Sequence, residues 1–273
     1  MGGKRVLTAV VLIPLVYAIV KYSNPALFLL VVVAIVLIGQ YEFYKFHFRD
    51  FNRFTLLGLF SGFILLLTFG SGISLQTREA VLGAIIFITF SGFLFLKKSL
   101  EGALTGISVV VFGVLYISWT LGHLVSLRLL ANGGNLIFFV LIVTWGVDTG
   151  AYYTGKLIGR HKLSPNISPG KTIEGAVGGV VACVGAGFLA RWLFLKGLTI
   201  NSTILIGLVL GIISQLGDLS ESLLKRSAGF KDSGSIIPGH GGMLDRVDSL
   251  IFTVPAFYYF IIYFQPEVIS IYL

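Results

Sequence analysis

Repeated long apolar runs are the feature that most restricts how this chain can fold. Runs long enough to cross a hydrocarbon core of about 30 Å recur along most of its length. Because they mix Gly, Leu, Ile, Val and Phe without a period of two, they indicate helices rather than the strands of a barrel. Charged residues make up only 12% of the sequence, which excludes an ordinary soluble domain. We therefore predict an all-α, polytopic integral membrane protein.

We predict about nine transmembrane helices, with the N-terminus in the cytoplasm and the C-terminus outside. The predicted spans are residues 6–22, 26–41, 54–70, 78–96, 103–130, 135–158, 173–195, 201–226 and 248–265. The orientation follows from the lysine and arginine residues, because this topology places 15 of the 20 on the cytoplasmic side. The loops 159–172 and 227–247 are then both cytoplasmic, and the net charge of +8 forms a rim suited to anionic lipid head groups and a nucleotide.

Three segments with different compositions follow one another along the chain. Residues 1–53 are predicted to form a helical hairpin that ends in an aromatic and basic stretch, 41–51, typical of a membrane interface. Residues 54–134 carry no intramembrane carboxylate in their predicted helices, so they are either structural or an oligomer interface, for example of a homodimer. Residues 135–273 hold the intramembrane acids and both motif-bearing loops, and we predict that they are the catalytic part.

Charged and glycine residues concentrate in the stretch Ser222–Ser249. Just before and within it, Asp218, Glu221, Ser222 and Lys225 have the spacing i, i+3, i+4 and i+7, so a helix would direct all four from one face. The stretch also contains a Gly-His-Gly-Gly turn, whose backbone N–H groups could face a phosphate. This combination of amines, guanidinium groups, carboxylates and glycines is typical of phosphate and metal chemistry.

Carboxylates at membrane depth predict a metal site. Asp148 and Asp218 lie at similar depths in their predicted helices, and an acid there is costly unless it pairs, meets water or binds an ion. For Asp148, a salt bridge to Lys156 or Lys171 is the structural alternative. Asp245 alone could act as a helix N-cap, but together with Asp248 and Asp218 it suggests Mg²⁺. The predicted metal ligands are Asp218, Asp245 and Asp248, with Glu221 and Asp148 as further ligands or neighbours, and a second cation is allowed for.

The loop 159–172 has no apolar periodicity and contains two prolines, so we predict a mobile basic lid. Lys171 and Thr172 lead from it into the next helix, whose N-terminus is a candidate anion site. A simple N-cap at Thr172, with Glu174 in the first turn, explains part of the pattern equally well. Glycine pairs four residues apart, such as Gly146 and Gly150, predict that the sixth, seventh and eighth spans pack closely.

The order of these residues resembles the signature of the phosphatidate cytidylyltransferase family. The pattern S-x-x-K-R-x4-K-D-x5-P-x-H-G-G-x-x-D-R-x-D is filled by Ser222, Lys225, Arg226, Lys231, Asp232, Pro238, His240, Gly241, Gly242, Asp245, Arg246 and Asp248. Two earlier stretches, Asp148–Tyr152 and Ser168–Gly175, also resemble the family. One departure is Gly170, where the family pattern leads us to expect a polar or basic side chain. The resemblance covers the C-terminal half of the chain.

The resemblance implies that the chain transfers a cytidylyl group from CTP to phosphatidic acid, giving CDP-diacylglycerol and pyrophosphate. The expected partners are CTP, phosphatidic acid and membrane lipids, without nucleic acid, and the expected location is the plasma (inner) membrane with the site facing the cytoplasm. The expected catalytic residues are Asp218, Asp245, Asp248, Lys225 and Arg246. The expected substrate-binding residues are Lys171, Thr172, Ser222, Arg226, Lys231, His240, Gly241, Gly242 and Tyr152. A CTP-dependent lipid-alcohol kinase is an alternative, and an ion or phosphate transporter is a further one.

Overall fold

The fold is helical, as the apolar runs predict. A computed structural model describes residues 2–70, 72–97, 100–236 and 241–270, and the side chains of those between Val10 and Val268. The helices are α1 (Gly2–Tyr22), α2 (Pro25–Phe48), α3 (Arg53–Gly70), α4 (Leu75–Leu96), α5 (Ala103–Gly113), α6 (Thr120–Leu129), α7 (Gly133–Ile158), α8 (Ile173–Leu193), α9 (Ile200–Ser227), α10 (Leu244–Phe264) and α11 (Pro266–Ser270). A π-helical turn, Val114–Trp119, joins α5 to α6.

In the described part of the chain, eight helical stretches are long and apolar enough to cross a membrane. They are α2, α3, α4, the continuous stretch Ala103–Leu129, α7, α8, α9 and α10. Each overlaps one predicted span, so the polytopic all-α membrane fold is confirmed. The remaining predicted span, 6–22, corresponds to α1, in which Val10–Tyr22 forms a shorter apolar helix. That α1 crosses the membrane, and which side each terminus occupies, stay predictions.

The chain forms two compact units, each of which is discontinuous in sequence. Unit 1 contains the residues up to Ser126 together with Ala228–Arg246. Unit 2 contains Leu127–Ser227 together with the residues from Val247 onward. The predicted segments 1–53, 54–134 and 135–273 are each contiguous in sequence. Unit 1, in contrast, includes the later segment Ala228–Arg246. Within the charge-rich stretch Ser222–Ser249, residues 228–246 therefore belong to unit 1 and the others belong to unit 2.

A buried polar network holds α2, α3 and the π-helical turn together in unit 1. The Gln40 side-chain amide donates to the Tyr44 hydroxyl at 2.8 Å and to the Gly58 carbonyl at 3.0 Å. Ser118 donates its hydroxyl to the Gln40 side-chain oxygen at 2.9 Å, and Tyr44 donates to the Val110 carbonyl at 2.9 Å. Each buried polar group thus has a partner, as an apolar interior requires. This network anchors α2, which carries Glu42 further along.

Small residues bring α7, α8 and α9 close together in unit 2. A Cβ atom at Gly146 would lie 2.8 Å from the Ala186 side chain, and one at Gly179 would lie 3.1 Å from the Val147 carbonyl oxygen. A Cβ at Gly211 would lie 3.0 Å from the Val180 backbone. Such separations leave no room for a side chain, so glycine permits the close backbone approach. The prediction of close packing between these three spans is confirmed.

The segment between α7 and α8, predicted to be a basic lid, contains two short strands. It contains an antiparallel hairpin of β1 (Lys162–Ser164) and β2 (Ser168–Thr172), with Lys162 opposite Thr172 and Ser164 opposite Ser168. The prolines exclude a helix but suit the turn and the edge of a two-stranded ribbon. The base of the hairpin is tied to α8, because the Glu174 carboxylate accepts hydrogen bonds from the backbone N–H groups of Arg160 and His161. The sequence analysis did not foresee this hairpin, and its role as a mobile basic lid stays a prediction.

Candidate active site

A pocket of about 530 Å³ in unit 2 collects several of the predicted site residues. Its walls come from α7, the hairpin, the start of α8 and the middle of α9. The side chains on it that carry charge or can donate hydrogen bonds are Asp148, Tyr152, Lys156, Ser168, Lys171, Thr172, Gln215 and Asp218. Gly155, Gly170 and Gly175 also line it. This pocket is the candidate active site.

The pocket is centred on an ion pair between Lys171 and Asp218. The two atoms, Lys171 Nζ and Asp218 Oδ2, lie 2.5 Å apart, and the side chains are 27% and 30% exposed. Lys171 stands near the end of β2, and Asp218 stands in α9. Within the described residues, Nζ of Lys171 makes this ion pair and no further hydrogen bond. Because an ammonium group has three N–H donors, two remain to bind an anionic ligand.

The predicted polar face of α9 is present. The Ser222 hydroxyl donates to Asp218 Oδ1 at 3.4 Å, and Lys225 Nζ lies 2.5 Å from Glu221 Oε2. The Glu221 side chain is 0% exposed and that of Lys225 is 10% exposed, so this pair is far more buried than Lys171–Asp218. A buried charge without its partner is costly, and the Glu221–Lys225 pair therefore acts as a unit.

Asp248 is brought against α9 by a glycine. A Cβ atom at Gly217 would lie 2.7 Å from the Asp248 carbonyl oxygen, so the absence of a side chain lets α9 touch the backbone of α10. The Asp248 carboxylate accepts the Ser249 backbone N–H at 2.6 Å. The charged groups that act on it are Asp218, Asp148 and Lys225, with Asp218 the strongest. Asp148, Asp218 and Asp248, three carboxylates predicted to belong to the metal site, all lie in unit 2.

Thr172 shows the hydrogen bond of a helix cap. Its hydroxyl oxygen accepts the Gly175 backbone N–H at 3.1 Å, at the start of α8. This is the N-cap alternative of the sequence analysis, and a contact of Thr172 with substrate stays a prediction. Glu174 turns towards the hairpin, where its carboxylate lies 2.6 Å from His161 Nδ1. The cap and Glu174 together fix the position of Lys171 at the pocket.

Unit 1 holds the other predicted residues, and here the hydrogen bonding of Asp245 is extensive. Its Oδ2 atom accepts the N–H groups of Ser233 at 2.9 Å and Gly242 at 2.8 Å. The Gly242 N–H is therefore directed to a carboxylate in this structure, and its predicted contact with a phosphate stays a prediction. Gly241 has φ of 78°, a conformation that favours glycine. Lys231 and Arg246 are exposed, and His240 and Pro238 lie outside the described residues.

Glu42 is a polar residue at this place that the sequence analysis did not identify. It was included in the interfacial stretch 41–51, yet it is only 2% exposed and its carboxylate accepts hydrogen bonds from Met243 and Leu244. Its position just beyond the predicted span 26–41 made a membrane-surface role the simpler interpretation. A usable signal was present, because in a helix Glu42 shares a face with the uncharged positions 38, 39 and 46.

No group of three His, Cys, Asp or Glu side chains in the described part of the chain is close enough to hold a metal ion unaided. Asp218 is instead neutralised by Lys171, and Glu221 by Lys225. Mg²⁺ commonly takes one or two carboxylates and completes its coordination with substrate phosphates and water. A pair of carboxylates that leaves positions for phosphate oxygens and water would be a donor set of that kind. The predicted metal ligands remain predictions.

A larger pocket, of about 910 Å³, lies against α7 and α8. Its lining is mostly apolar, with Trp145, Tyr153, Val177, Val181 and Leu189 among the side chains, and Glu174 is the charged residue on it. Glu174 is an anion, and the described residues that line this pocket include no lysine or arginine that could bind a phosphate. The smaller pocket with Lys171 and Asp218 is therefore the better candidate for chemistry.

Comparison with known proteins gives one family match and several relatives. The family model described as "Cytidylyltransferase family" matches residues 3–264. The uncharacterized protein YnbB of Escherichia coli K12 is 40% identical over 190 residues, which cover 66% of this chain and 63% of that protein. Proteins named phosphatidate cytidylyltransferase are 50% identical over 122 residues in Synechocystis and 39% identical over 160 residues in Bacillus subtilis. These alignments cover 45% and 58% of this chain, and 41% and 60% of the two relatives.

Proposed function

Because the chain belongs to the cytidylyltransferase family, we propose that it transfers a cytidylyl group from CTP to phosphatidic acid. The products are CDP-diacylglycerol and pyrophosphate. The observation that carries the proposal is the ion pair of Lys171 and Asp218 on a pocket between helices long and apolar enough to cross a membrane. Two relatives that share extended segments with the chain bear the name phosphatidate cytidylyltransferase. The aligned segments span less than two thirds of those relatives, so the activity of the whole protein is part of the proposal.

The reaction needs positioning and charge neutralisation more than a side-chain nucleophile. A phosphate oxygen of phosphatidic acid forms a bond to the α-phosphorus of CTP, while the bond from that phosphorus to the bridging oxygen of the β-phosphate breaks. Pyrophosphate leaves with that oxygen and its electron pair. Two polyanions must meet in line for this step, so cationic groups that hold both are the main requirement. The free N–H donors of Lys171 suit this role.

The remaining cations are proposed to hold phosphates around the same reaction. Lys225 is paired with Glu221 in α9, so it is fixed in place and contributes a localised positive charge near Asp248. Arg226 donates from Nε to the Ile167 carbonyl at 3.4 Å and so links α9 to the turn of the hairpin. Lys231 and Arg246 are exposed cations in unit 1, and their predicted contacts with phosphate are part of the proposal.

We propose Mg²⁺ as the cofactor. Asp218 and Asp248, with Asp148 as a neighbour, are the residues of unit 2 that would hold it, because their carboxylates act on one another and supply hard oxygen donors. Bound there, Mg²⁺ would neutralise the phosphate oxygens on which negative charge develops. Asp245 lies in unit 1, and its role as a metal ligand stays a prediction. Lys171 then has a second task, because its ammonium holds Asp218 in place before substrate binds.

Product analysis tests the proposed function. Purified protein in detergent, incubated with phosphatidic acid, Mg²⁺ and each nucleoside triphosphate in turn, is expected to release pyrophosphate with CTP and to form an equal amount of CDP-lipid. A lipid-alcohol kinase would release CDP from a diacylglycerol substrate instead. Absence of pyrophosphate with CTP and phosphatidic acid, from protein shown to be folded, would reject the proposal.

The plasma membrane location and a cytoplasmic active site are also proposed, and cysteine labelling tests the topology. In a Cys183→Ala background, cysteines at Ser164 and Ser235 are expected to react with an impermeant maleimide only from the cytoplasmic side. A cysteine at Ala131 is expected to react from outside, because the charge asymmetry assigns that loop to the other face. Ala131 is preferred to Asn132, whose φ of 58° disfavours most side chains. The background without added cysteine is the control, and labelling of Ser164 and Ser235 from opposite faces would contradict the topology.

A further inference from the structure

Glu42 is a buried acid with no role yet in the proposed reaction. It lies in α2, in unit 1, and is 2% exposed. A carboxylate in such surroundings is costly unless its oxygens accept hydrogen bonds. The cost suggests that Glu42 contributes something that an apolar residue would not.

The Glu42 carboxylate caps the start of α10 from a different helix. Its Oε1 atom accepts the Met243 backbone N–H at 3.0 Å, and its Oε2 atom accepts the Leu244 N–H at 2.8 Å. The first N–H groups of a helix have no acceptor within the helix, and the partial positive charge there favours an acid. Glu42 therefore supplies the acceptor that a local N-cap side chain would otherwise supply.

Ser233 connects this cap to Asp245. Its hydroxyl lies 2.9 Å from Glu42 Oε2 and 2.9 Å from Asp245 Oδ2, and it can donate to one of them at a time. The Ser233 backbone N–H donates to Asp245 as well, at 2.9 Å. Displacement of Glu42 would therefore change the position of Asp245 through the Ser233 side chain that lies between them.

Two glycines make the close approach to Glu42 feasible. A Cβ atom at Gly242 would lie 2.5 Å from Glu42 Oε2 and 2.6 Å from the Gly234 backbone nitrogen. A Cβ atom at Gly234 would lie 2.9 Å from the Glu42 carboxyl carbon. Any side chain at either position would push the backbone off the carboxylate. The backbone on both sides is thus shaped to receive Glu42.

We propose that Glu42 is a positioning residue that holds Ser233 and Gly242–Asp245 in one arrangement, so that Asp245 and the Gly242 backbone are presented to substrate in a fixed geometry. We call this group, Glu42 with Ser233 and Gly242–Asp245, the Glu42 clamp. The proposal rests on the proposed function for its effect on the reaction. The hydrogen bonding that defines the clamp can be tested without activity.

Hydrogen exchange tests the clamp directly in the full-length protein in detergent. Glu42→Gln keeps the size of the side chain but replaces one acceptor oxygen with an NH₂ donor, so at least one backbone N–H loses its partner. We expect the amides of Met243 and Leu244 to exchange at least about tenfold faster, since a hydrogen bond to a charged group contributes that much protection or more. Glu79→Gln, the same change at an exposed site in unit 1, is the control. Unchanged exchange at Met243 and Leu244 would overturn the proposal.

Turnover and Mg²⁺ dependence test the consequence for the reaction. Glu42→Gln is expected to lower kcat per folded molecule by about tenfold to a hundredfold, because a small displacement of a catalytic group has effects of that size. The Mg²⁺ concentration for half-maximal rate is expected to rise, while the KM for CTP changes less. A role in stability alone would reduce the yield of folded protein but leave kcat and the Mg²⁺ dependence as in the wild type, which would also overturn the proposal.

Ser233→Ala serves as a second variant, because it removes only the bridging hydroxyl and so keeps the test decisive if Glu42→Gln fails to fold. We expect it to lower kcat in the same direction by about tenfold. The double variant is expected to lose less than the product of the single losses, since both changes break one connection. The clamp would be contradicted if Ser233→Ala kept the wild-type kcat and the loss in the double variant equalled the product of the two single losses. An inactive wild-type protein would instead count against the proposed function, and the exchange experiment would still decide the clamp.

Discussion

Asp218→Asn is expected to reduce pyrophosphate release per folded molecule by at least about a hundredfold, or about 3 kcal/mol in the transition state. The substitution preserves size but removes the charge that Lys171 holds at 2.5 Å and that lies beside Asp248. If Asp218 binds Mg²⁺, the variant also needs more Mg²⁺ for half-maximal rate. The measurement is initial rate across a Mg²⁺ titration, normalised to the folded fraction.

The ion pair itself could account for some of this loss, so a second comparison is needed. Asp218→Asn leaves the partly buried Lys171 ammonium without its partner, which lowers stability. In the double variant Asp218→Asn with Lys171→Met both charges are gone, and a purely structural pair would then recover activity. We expect no recovery. Asp50→Asn, an exposed carboxylate in unit 1, is the matched control, and near-wild-type turnover in Asp218→Asn would end the assignment of this residue to the site.

Lys171→Ala is expected to lower kcat/KM by about tenfold to a hundredfold, the range for loss of a charged hydrogen bond. The reason is that Lys171 Nζ has donors left after pairing with Asp218, and they lie on the pocket. Most of the effect should appear as weaker use of CTP or phosphatidic acid rather than as loss of folding. Initial rates in mixed micelles over a range of CTP and phosphatidic acid concentrations, normalised to the folded fraction, separate weaker substrate use from loss of folding.

Lys162→Ala is the matched control for Lys171→Ala. Lys162 is an exposed lysine on the other strand of the same hairpin, paired in register with Thr172. If the hairpin acted only as a basic surface for the membrane, the two variants would lose activity to the same degree. We expect Lys162→Ala to keep most of the activity, and equal losses would argue that Lys171 has no special contact with phosphate.

The spans and the polar face of α9 were predictable because both follow from local periodicity. A run of apolar residues needs no knowledge of its neighbours, and the spacing of Asp218, Glu221, Ser222 and Lys225 holds in any helix. The hairpin was missed because its strands are short and polar, and prolines that exclude a helix do not specify what replaces it. Glu42 was missed because its partners are backbone N–H groups far along the chain, which no side-chain pattern marks.

The hydrogen bond between Glu42 and Leu244 joins residues 202 positions apart, and the one to Ser233 joins residues 191 apart. During synthesis, α2 emerges and inserts long before its partners exist, and contacts between distant residues form late. Until then, an ionisable group at the end of an early helix must remain hydrated or be shielded by something else. The Glu42 clamp can therefore be completed only when the segment that carries Ser233 and Gly242–Asp245 has been inserted. A chain interrupted before Ser233 would have packed helices but no clamp. Limited proteolysis of nascent chains of increasing length would locate this last step of assembly.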